Sequence, residues 1–363
     1  MAKSRFLILS DGTVFDGIGF GFDLESIGEV VFNTSMTGYQ EMLTDPSYEG
    51  QILVATYPLV GNYGVSDNAN ESHNIKIQSF ILRELCEIPF HYDNKQTLEE
   101  FLVKHKIPGI HSVDTRSLTK KIRKDGAMMG IVSNDGDLKN GLDKIRKFGN
   151  YEDHNHVERV SIKKEAVYSV DKTASKFSVA LIDFGVKNNI VRLLNRRQCD
   201  VTVFPWKSNF EEIAQAEFDG VVLSPGPGDP SVLKNQINKV RELTDKLPTL
   251  AICLGHQILA IAYGGKTFKL LFGHRGANQP VKDLISGKVY PTAQNHGFAV
   301  SKDNFPSELE ITHLNINDDT ISGFRHRTKP VISIQYHSEA CPGPIDSEYI
   351  FDEFIELMEV NDD

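Results

Sequence analysis

Two short strings in this 363-residue chain carry side chains that could do covalent chemistry together. The first is Leu250-Ala251-Ile252-Cys253-Leu254-Gly255-His256-Gln257, an apolar run that ends in a cysteine and passes into a helical pattern. A strand–turn–helix bend of this kind exposes its nucleophile, as serine hydrolases do with their serine. Ala251 and Gly255 supply the small neighbours that the bend needs. The helix N-terminus after Cys253 favours the thiolate, which is the attacking form. The backbone N–H of Leu254 would point at the developing oxyanion. The second string is residues 331–336, V-I-S-I-Q-Y, a buried-strand pattern that ends in His337-Ser338-Glu339. In an extended chain, positions i and i+2 share a side. Glu339 can therefore fix the tautomer of His337 and leave the other ring nitrogen to take a proton from Cys253. Nucleophile, base and orienter together make covalent catalysis.

An isolated cysteine is more often a buried structural residue, and an isolated His-x-Glu more often a surface pair. Two such strand ends in one chain shift the weight to chemistry. A metal centre is a poor reading of the same residues. His337, Glu339 and Cys341 have no matching second half, and His256, His274, His296 and His313 are scattered.

Two further loops suit a small ligand. Ser224-Pro225-Gly226-Pro227-Gly228-Asp229-Pro230 follows a strand, and Gln294-Asn295-His296-Gly297-Phe298 is a second glycine-bearing loop. Their glycines let backbone groups approach the amino-acid end of a zwitterion closely. Two look-alikes fail. Gly17-Ile18-Gly19-Phe20-Gly21 has no helix after it, and Phe22 stands where the last glycine of a dinucleotide loop belongs. Gly264-Gly265-Lys266-Thr267 has Ala260 at the first P-loop position. No ATP site is expected on this chain.

The elements that must position these loops follow from patterning. Turn signals such as Asp11-Gly12, Asp45-Pro46 and Gly61-Asn62 divide the first 150 residues into short runs. Strands are predicted at 6–10, 29–33 and 51–56, and helices at 97–106 and 114–124. Asp114 would be the N-cap of the second helix and Gly126 would follow its end. Residues 1–150 are read as an α+β domain with much antiparallel strand, and the polar stretch 151–176 as a linker. From residue 177 strands alternate with helices: strands at 179–183, 201–204, 220–224 and 250–253, helices at 187–197 and 256–263. That alternation predicts an α/β domain over 177–363, with a mostly parallel sheet and helices on both faces. Ligands in such sheets bind beyond the carboxyl ends of the strands.

Composition narrows the class of function. A net charge of −10 and the lack of a basic cluster argue against a nucleic-acid partner. No apolar run approaches the roughly 18 residues of a membrane span, and the N-terminal apolar run is too short for a signal peptide. The four cysteines, Cys86, Cys199, Cys253 and Cys341, lack CxxC spacing and read as free thiols of a reducing compartment. Cytoplasm is the expectation.

A-I-C-L-G-H-Q, S-P-G-P-G-D-P, Q-N-H-G-F and Q-Y-H-S-E-A together resemble the class I, triad-type glutamine amidotransferases. F-N-T-S-M-T-G-Y-Q-E from Phe32, L-T-D-P-S-Y-E-G-Q from Leu43, G-N-Y-G from Gly61 and D-T-R-S-L-T from Asp114 resemble the small-subunit family of carbamoyl phosphate synthetases. So do F-G-H-R-G-A-N-Q-P from Phe272 and P-G-P from Pro342. The resemblance spans about residues 1 to 355, and the first domain carries its specificity. It implies that Cys253 forms a glutamyl thioester from L-glutamine and that His337, oriented by Glu339, serves its hydrolysis to glutamate. By position, it implies glutamine contacts from Ser47, Gly226, Gly228, Leu254, Gln257, Asn295, Gly297 and Phe298, in a site between the domains. Ammonia would pass to a large-subunit partner. There ATP, a divalent metal and bicarbonate yield carbamoyl phosphate, the precursor of arginine and pyrimidines. This chain itself would hold no cofactor. Two other readings are a glutaminase for an anthranilate or aminodeoxychorismate type of synthetase, against which the first domain argues, and a non-catalytic regulatory subunit, against which the intact triad argues. The family pattern usually has Gly at Ala251, Asn at Pro225 and Pro at Ser338; none of these departures removes a catalytic side chain.

Overall fold

The computed structural model describes residues 3–170 and 174–361. They form two compact units, Met1–His156 with Leu271–Gly276, and Val157–Leu270 with Ala277–Asp363.

The first unit is built on strands β1 (Ser4–Leu9), β2 (Val14–Gly21), β3 (Ser26–Asn33), β4 (Gln51–Ala55), β5 (Leu59–Val60), β6 (Ser79–Ile81), β7 (Glu84–Leu85), β8 (Pro108–His111) and β9 (Met128–Ser133). Seven of them close into a barrel in the order β1-β2-β8-β6-β4-β3-β9, and β5 pairs with β7 beside it. Within the barrel the run β3-β4-β6-β8 is parallel and the remaining pairings are antiparallel; the β5–β7 pair is parallel. The expectation of an α+β domain thus resolves into a closed barrel of mixed direction. Closure depends on pairings between distant segments, which local patterning does not reveal. Side-chain alternation builds two layers. Leu7, Leu9, Val30, Phe32, Ile52 and Val54 pack together, while Val31, Leu53 and Phe80 face a second cluster. Helices α1 (Tyr39–Thr44) and α2 (Leu98–Lys104) join the second cluster, and α3 (Thr115–Asp125) joins the first. Asp114 caps α3 by accepting from Ser117 N, and Gly126 ends it with φ 98°. Helix α4 (Leu138–Phe148) completes the unit's helices.

The second unit begins inside the segment read as a linker. That segment holds a 3-10 turn at Tyr151–Asp153, helix α5 (Val157–Val160) and strand β10 (Ala166–Tyr168). Its polar groups make local bonds: Ile162 N donates to Asp183, and Trp206 N donates to Ser161 Oγ. Val157 is buried in the second unit's core.

The rest of the unit comprises β11 (Phe177–Asp183), α6 (Asn188–Arg196), β12 (Cys199–Pro205), α7 (Phe210–Gln215), β13 (Gly220–Leu223), α8 (Lys234–Thr244), β14 (Thr249–Ile252) and α9 (Leu254–Ala262). After these come β15 (Thr267–Asp283, apart from residues 271–276), β16 (Val289–Val300), β17 (Leu309–Asn315), β18 (Ile321–His326), β19 (Val331–Ile334) and α10 (Tyr349–Asn361). One sheet runs β10-β12-β11-β13-β14-β19-β18-β17-β15-β16. The block β12-β11-β13-β14-β19 is parallel, whereas β10 and the β19-β18-β17-β15 extension are antiparallel. The expected mostly parallel sheet is therefore parallel only in that block. Short hairpin connections between β17, β18 and β19 enforce antiparallel pairing. Helices cover both faces of the block. Ala180, Ile182, Val221, Leu223 and Ala251 pack with α7, α8 and α9; Val179, Leu181, Val222, Leu250 and Ile252 pack with α6 and α10. A strand buried on both faces needs the near-continuous apolar runs that the sequence carries there.

Candidate active site

Four neighbouring parallel strands, β11, β13, β14 and β19, end on the same edge of this sheet. The segments after them bring Lys187, Gly226 and Gly228, Cys253, and His337 with Glu339 to that edge.

Cys253 follows β14 and is the N-cap of α9, which begins at Leu254 rather than at residue 256 as patterning suggested. Its backbone has φ 53° and ψ −104°, a conformation that L-residues seldom adopt and that has to be held by its surroundings. The hold is visible. Cys253 N donates to Ile334 O at 2.9 Å, and Gly255 N donates to Ser224 O at 3.1 Å. A Cβ on Gly255 would lie 2.3 Å from Leu223 O, so only glycine lets the helix come this close to the strand. Ala251, the first departure from the family pattern, fits as a buried core residue. Cys253 is 1% exposed, and its Sγ lies 3.9 Å from the carbonyl oxygen of Asn295.

His337 sits just past β19, where its N–H donates to Ala293 O at 2.8 Å. Its Nδ1 is 2.5 Å from Glu339 Oε1. The contact does not come from extended spacing. The chain turns back after His337, with Ala340 N donating to His337 O at 3.0 Å. Ser338 leaves the His337–Glu339 bond intact. The other ring nitrogen, Nε2, is buried and makes no hydrogen bond among the described residues.

Burial alone would push the imidazole toward its neutral form. The carboxylate of Glu339 first, and then Cys253, outweigh burial and raise the pKa of His337 above the usual histidine range. Burial alone would also raise the pKa of Glu339. Lys187 and then His337 reverse this and hold the carboxyl well below the usual carboxylate range. Lys187 Nζ lies 3.3 Å from Glu339 Oε1 and also donates to Ala340 O. Asn189 Nδ2 donates to Glu339 O at 2.5 Å. Sequence reasoning missed Lys187 and Asn189. The sequence signal was weak, because Asp183, four residues before Lys187, offers the lysine a local acidic partner.

The ligand-loop residues are arranged nearby. Gly226 is tightly enclosed: a Cβ there would lie 2.3 Å from Phe184 O and 2.9 Å from Leu254 Cδ2. Gly228 has φ 95°, which favours glycine. Pro225 is accommodated because Ser224 Oγ donates to its carbonyl and accepts from Phe184 N. Leu254 is the first residue of α9, where backbone N–H groups lack helical partners. Gln257 Nε2 donates to Phe298 O at 2.8 Å and to Gln335 Oε1 at 3.1 Å, tying α9 to β16 and to the residue just after β19. Asn295, Gly297 and Phe298 all lie on β16. Ser47 belongs to the first unit. It lies in a 3-10 turn capped by Asp45, is buried, and its hydroxyl makes no hydrogen bond among the described residues.

A thiol on a constrained turn, and an imidazole bonded to a buried carboxylate, form the equipment of a cysteine-dependent acyl transferase. The family model for glutamine amidotransferase class-I matches residues 180–357, the stretch that carries this equipment. The model for the carbamoyl-phosphate synthase small chain, CPSase domain, matches residues 7–132. The carbamoyl phosphate synthase small chain of Staphylococcus haemolyticus is 48% identical over 360 residues, 99% of this chain and 97% of that one. That of Clostridium perfringens is 48% identical over 350 residues, 96% of this chain and 98% of that one. The chain belongs to the carbamoyl phosphate synthase small chain family. Among solved structures, a glutamine amidotransferase from Thermotoga maritima has a TM-score of 0.36 and 19% identity over 52% of this chain and 86% of that one. Among the described residues, no helix is long and apolar enough to cross a membrane.

Proposed function

We propose that this chain hydrolyses L-glutamine at Cys253, His337 and Glu339 and hands the ammonia to a carbamoyl phosphate synthase large chain in the cytoplasm. The observation that carries the reading is the 2.5 Å bond between His337 and Glu339, with Lys187 behind the carboxylate. It fits a proton that rests on His337 before substrate arrives.

The steps follow from that resting state. The Cys253 thiolate attacks the side-chain amide carbon of glutamine. The backbone N–H of Leu254 stabilises the oxyanion, an effect worth about 3 kcal/mol per donor. His337 gives its proton to the amide nitrogen as the C–N bond breaks, which leaves a thioester and ammonia. Neutral His337 then takes a proton from water, and the hydroxyl adds to the thioester. Breaking the C–S bond releases glutamate, restores the thiolate and leaves His337 protonated. Gly226, Gly228, Gln257, Asn295, Gly297, Phe298 and Ser47 are the proposed glutamine contacts; the close-packed glycines and the unpartnered Ser47 hydroxyl support them.

The deciding experiment is glutamate release by the purified chain, with and without the large chain, ATP and bicarbonate. Strong stimulation, matched by carbamoyl phosphate formation, is the expected outcome. Release that the large chain leaves unchanged would overturn the proposed coupling.

A further inference from the structure

Glu339 is held by its main chain as well as by its carboxylate. Its carbonyl oxygen accepts from Asn189 Nδ2 at 2.5 Å, and the next carbonyl, of Ala340, accepts from Lys187 Nζ. Two side chains from one short stretch at the start of α6 thus grip two consecutive peptide groups. The amide of Asn189 has its orientation set independently, because Arg192 Nε donates to its Oδ1 at 3.0 Å. The end that faces Glu339 is therefore the N–H₂ end. Asn189 is 6% exposed, so water does not compete freely for the bond.

The gripped turn is one that a chain would not adopt unaided. Ala340 has φ 51° and Cys341 φ 44°, consecutive left-handed positions occupied by residues other than glycine. Such backbone persists only where its surroundings over-determine it. Released, the turn would relax and carry the Glu339 carboxylate away from His337.

We infer that Asn189 is a positioning residue for the proposed triad: by clamping the Glu339 carbonyl it fixes where the carboxylate meets His337. The inference rests on the triad reading above. A misplacement of about 1 Å costs on the order of 100-fold in rate, so loss of the clamp should fall on kcat and leave KM for glutamine nearly unchanged. A second signature follows from the charge coupling. Glu339 raises the pKa of His337, so a displaced carboxylate should move the alkaline limb of the kcat/KM profile to lower pH.

The test compares wild type with Asn189→Leu, Asn189→Ala and Arg192→Ala, each assembled with the large chain and assayed for glutamine hydrolysis and for ammonia-dependent synthesis. Asn189→Leu nearly keeps the volume, adds no charge and cannot donate to the carbonyl. It should lose most of kcat, shift the alkaline limb down and leave ammonia-dependent synthesis intact. Arg192→Ala should move the same readouts less far, and these two variants carry the test if Asn189→Ala fails to fold. A wild-type kcat in Asn189→Leu, a change in KM alone, or a kcat loss with an unmoved alkaline limb overturns the positioning role. Cys253→Ala in the same assay separates the two readings: glutamine hydrolysis that survives it defeats the triad itself.

Discussion

Lys187 Nζ stands 3.3 Å from Glu339 Oε1, and neither side chain is more than 3% exposed. This buried ion pair lies one step behind the imidazole. It keeps Glu339 ionised in a place where burial alone would favour the neutral acid. Removing one partner of such a pair strands the other charge, which typically costs about 3–5 kcal/mol. Lys187→Met should lower the urea midpoint markedly. It should also weaken glutamine hydrolysis, because a neutral Glu339 no longer holds the proton on His337. Equilibrium unfolding and glutamate release, measured on the same preparation, check both parts.

Cys253→Ala should abolish glutamine hydrolysis and leave ammonia-dependent carbamoyl phosphate synthesis by the assembled complex near wild type. A collapse of the ammonia-dependent rate would mean that the thiol also supports the partner's chemistry.

The backbone of Cys253 gives a separate stability prediction. At φ 53° and ψ −104° a side chain is strained, whereas glycine is not. Relief of such strain is worth about 1–3 kcal/mol, so Cys253→Gly should be more stable to denaturant than Cys253→Ala. Equal stabilities would show that the surroundings relax at no cost.

The closeness of α9 to β13 predicts the opposite at the next glycine. Gly255→Ala would place a methyl 2.3 Å from Leu223 O, a backbone atom that cannot swing aside. Overpacking of this sort costs typically about 1–3 kcal/mol. The variant should melt several degrees lower and lose glutamine hydrolysis, because the turn that presents Cys253 has to shift.

The pH dependence of stability follows from the two shifted groups. His337 has a raised folded pKa, so its contribution is complete below the unfolded value of about 6.5. That contribution is lost as pH rises through the folded value. Glu339 has a lowered folded pKa, so its contribution is present above the unfolded value of about 4.3. That contribution is lost as acid protonates the carboxylate. Urea midpoints of wild type and His337→Asn across this range should converge at alkaline pH and differ most below pH about 6.

How much of this was legible in the sequence depended on how local each feature is. The apolar runs of β11, β13 and β14 and the string around Cys253 announce themselves, because a doubly covered strand and a tight strand-to-helix bend each need particular residues. The contact of His337 with Glu339 was expected from extended spacing, but the structure makes it through a turn. A separation of two positions suffices for either geometry. Lys187 and Asn189 stayed hidden because they lie about 150 positions from Glu339, and only the adjacency of β11, β13, β14 and β19 brings them to it. The barrel was illegible for the same reason. Nothing inside Gln51–Ala55 or Ser79–Ile81 specifies that they pair in parallel with each other.

That barrel has a further consequence. A ring of strands in which each is flanked on both sides offers no open row of backbone N–H and C=O groups, so a second polypeptide cannot dock on it by adding a strand. The sheet of the second unit, by contrast, has two edges: β10, only three residues long and antiparallel to its neighbour, and β16, twelve residues long. Recognition of the barrel by another chain must be written in side chains. Single substitutions on the outer surface of the barrel can accordingly retune or abolish an assembly while leaving every strand pairing as it is.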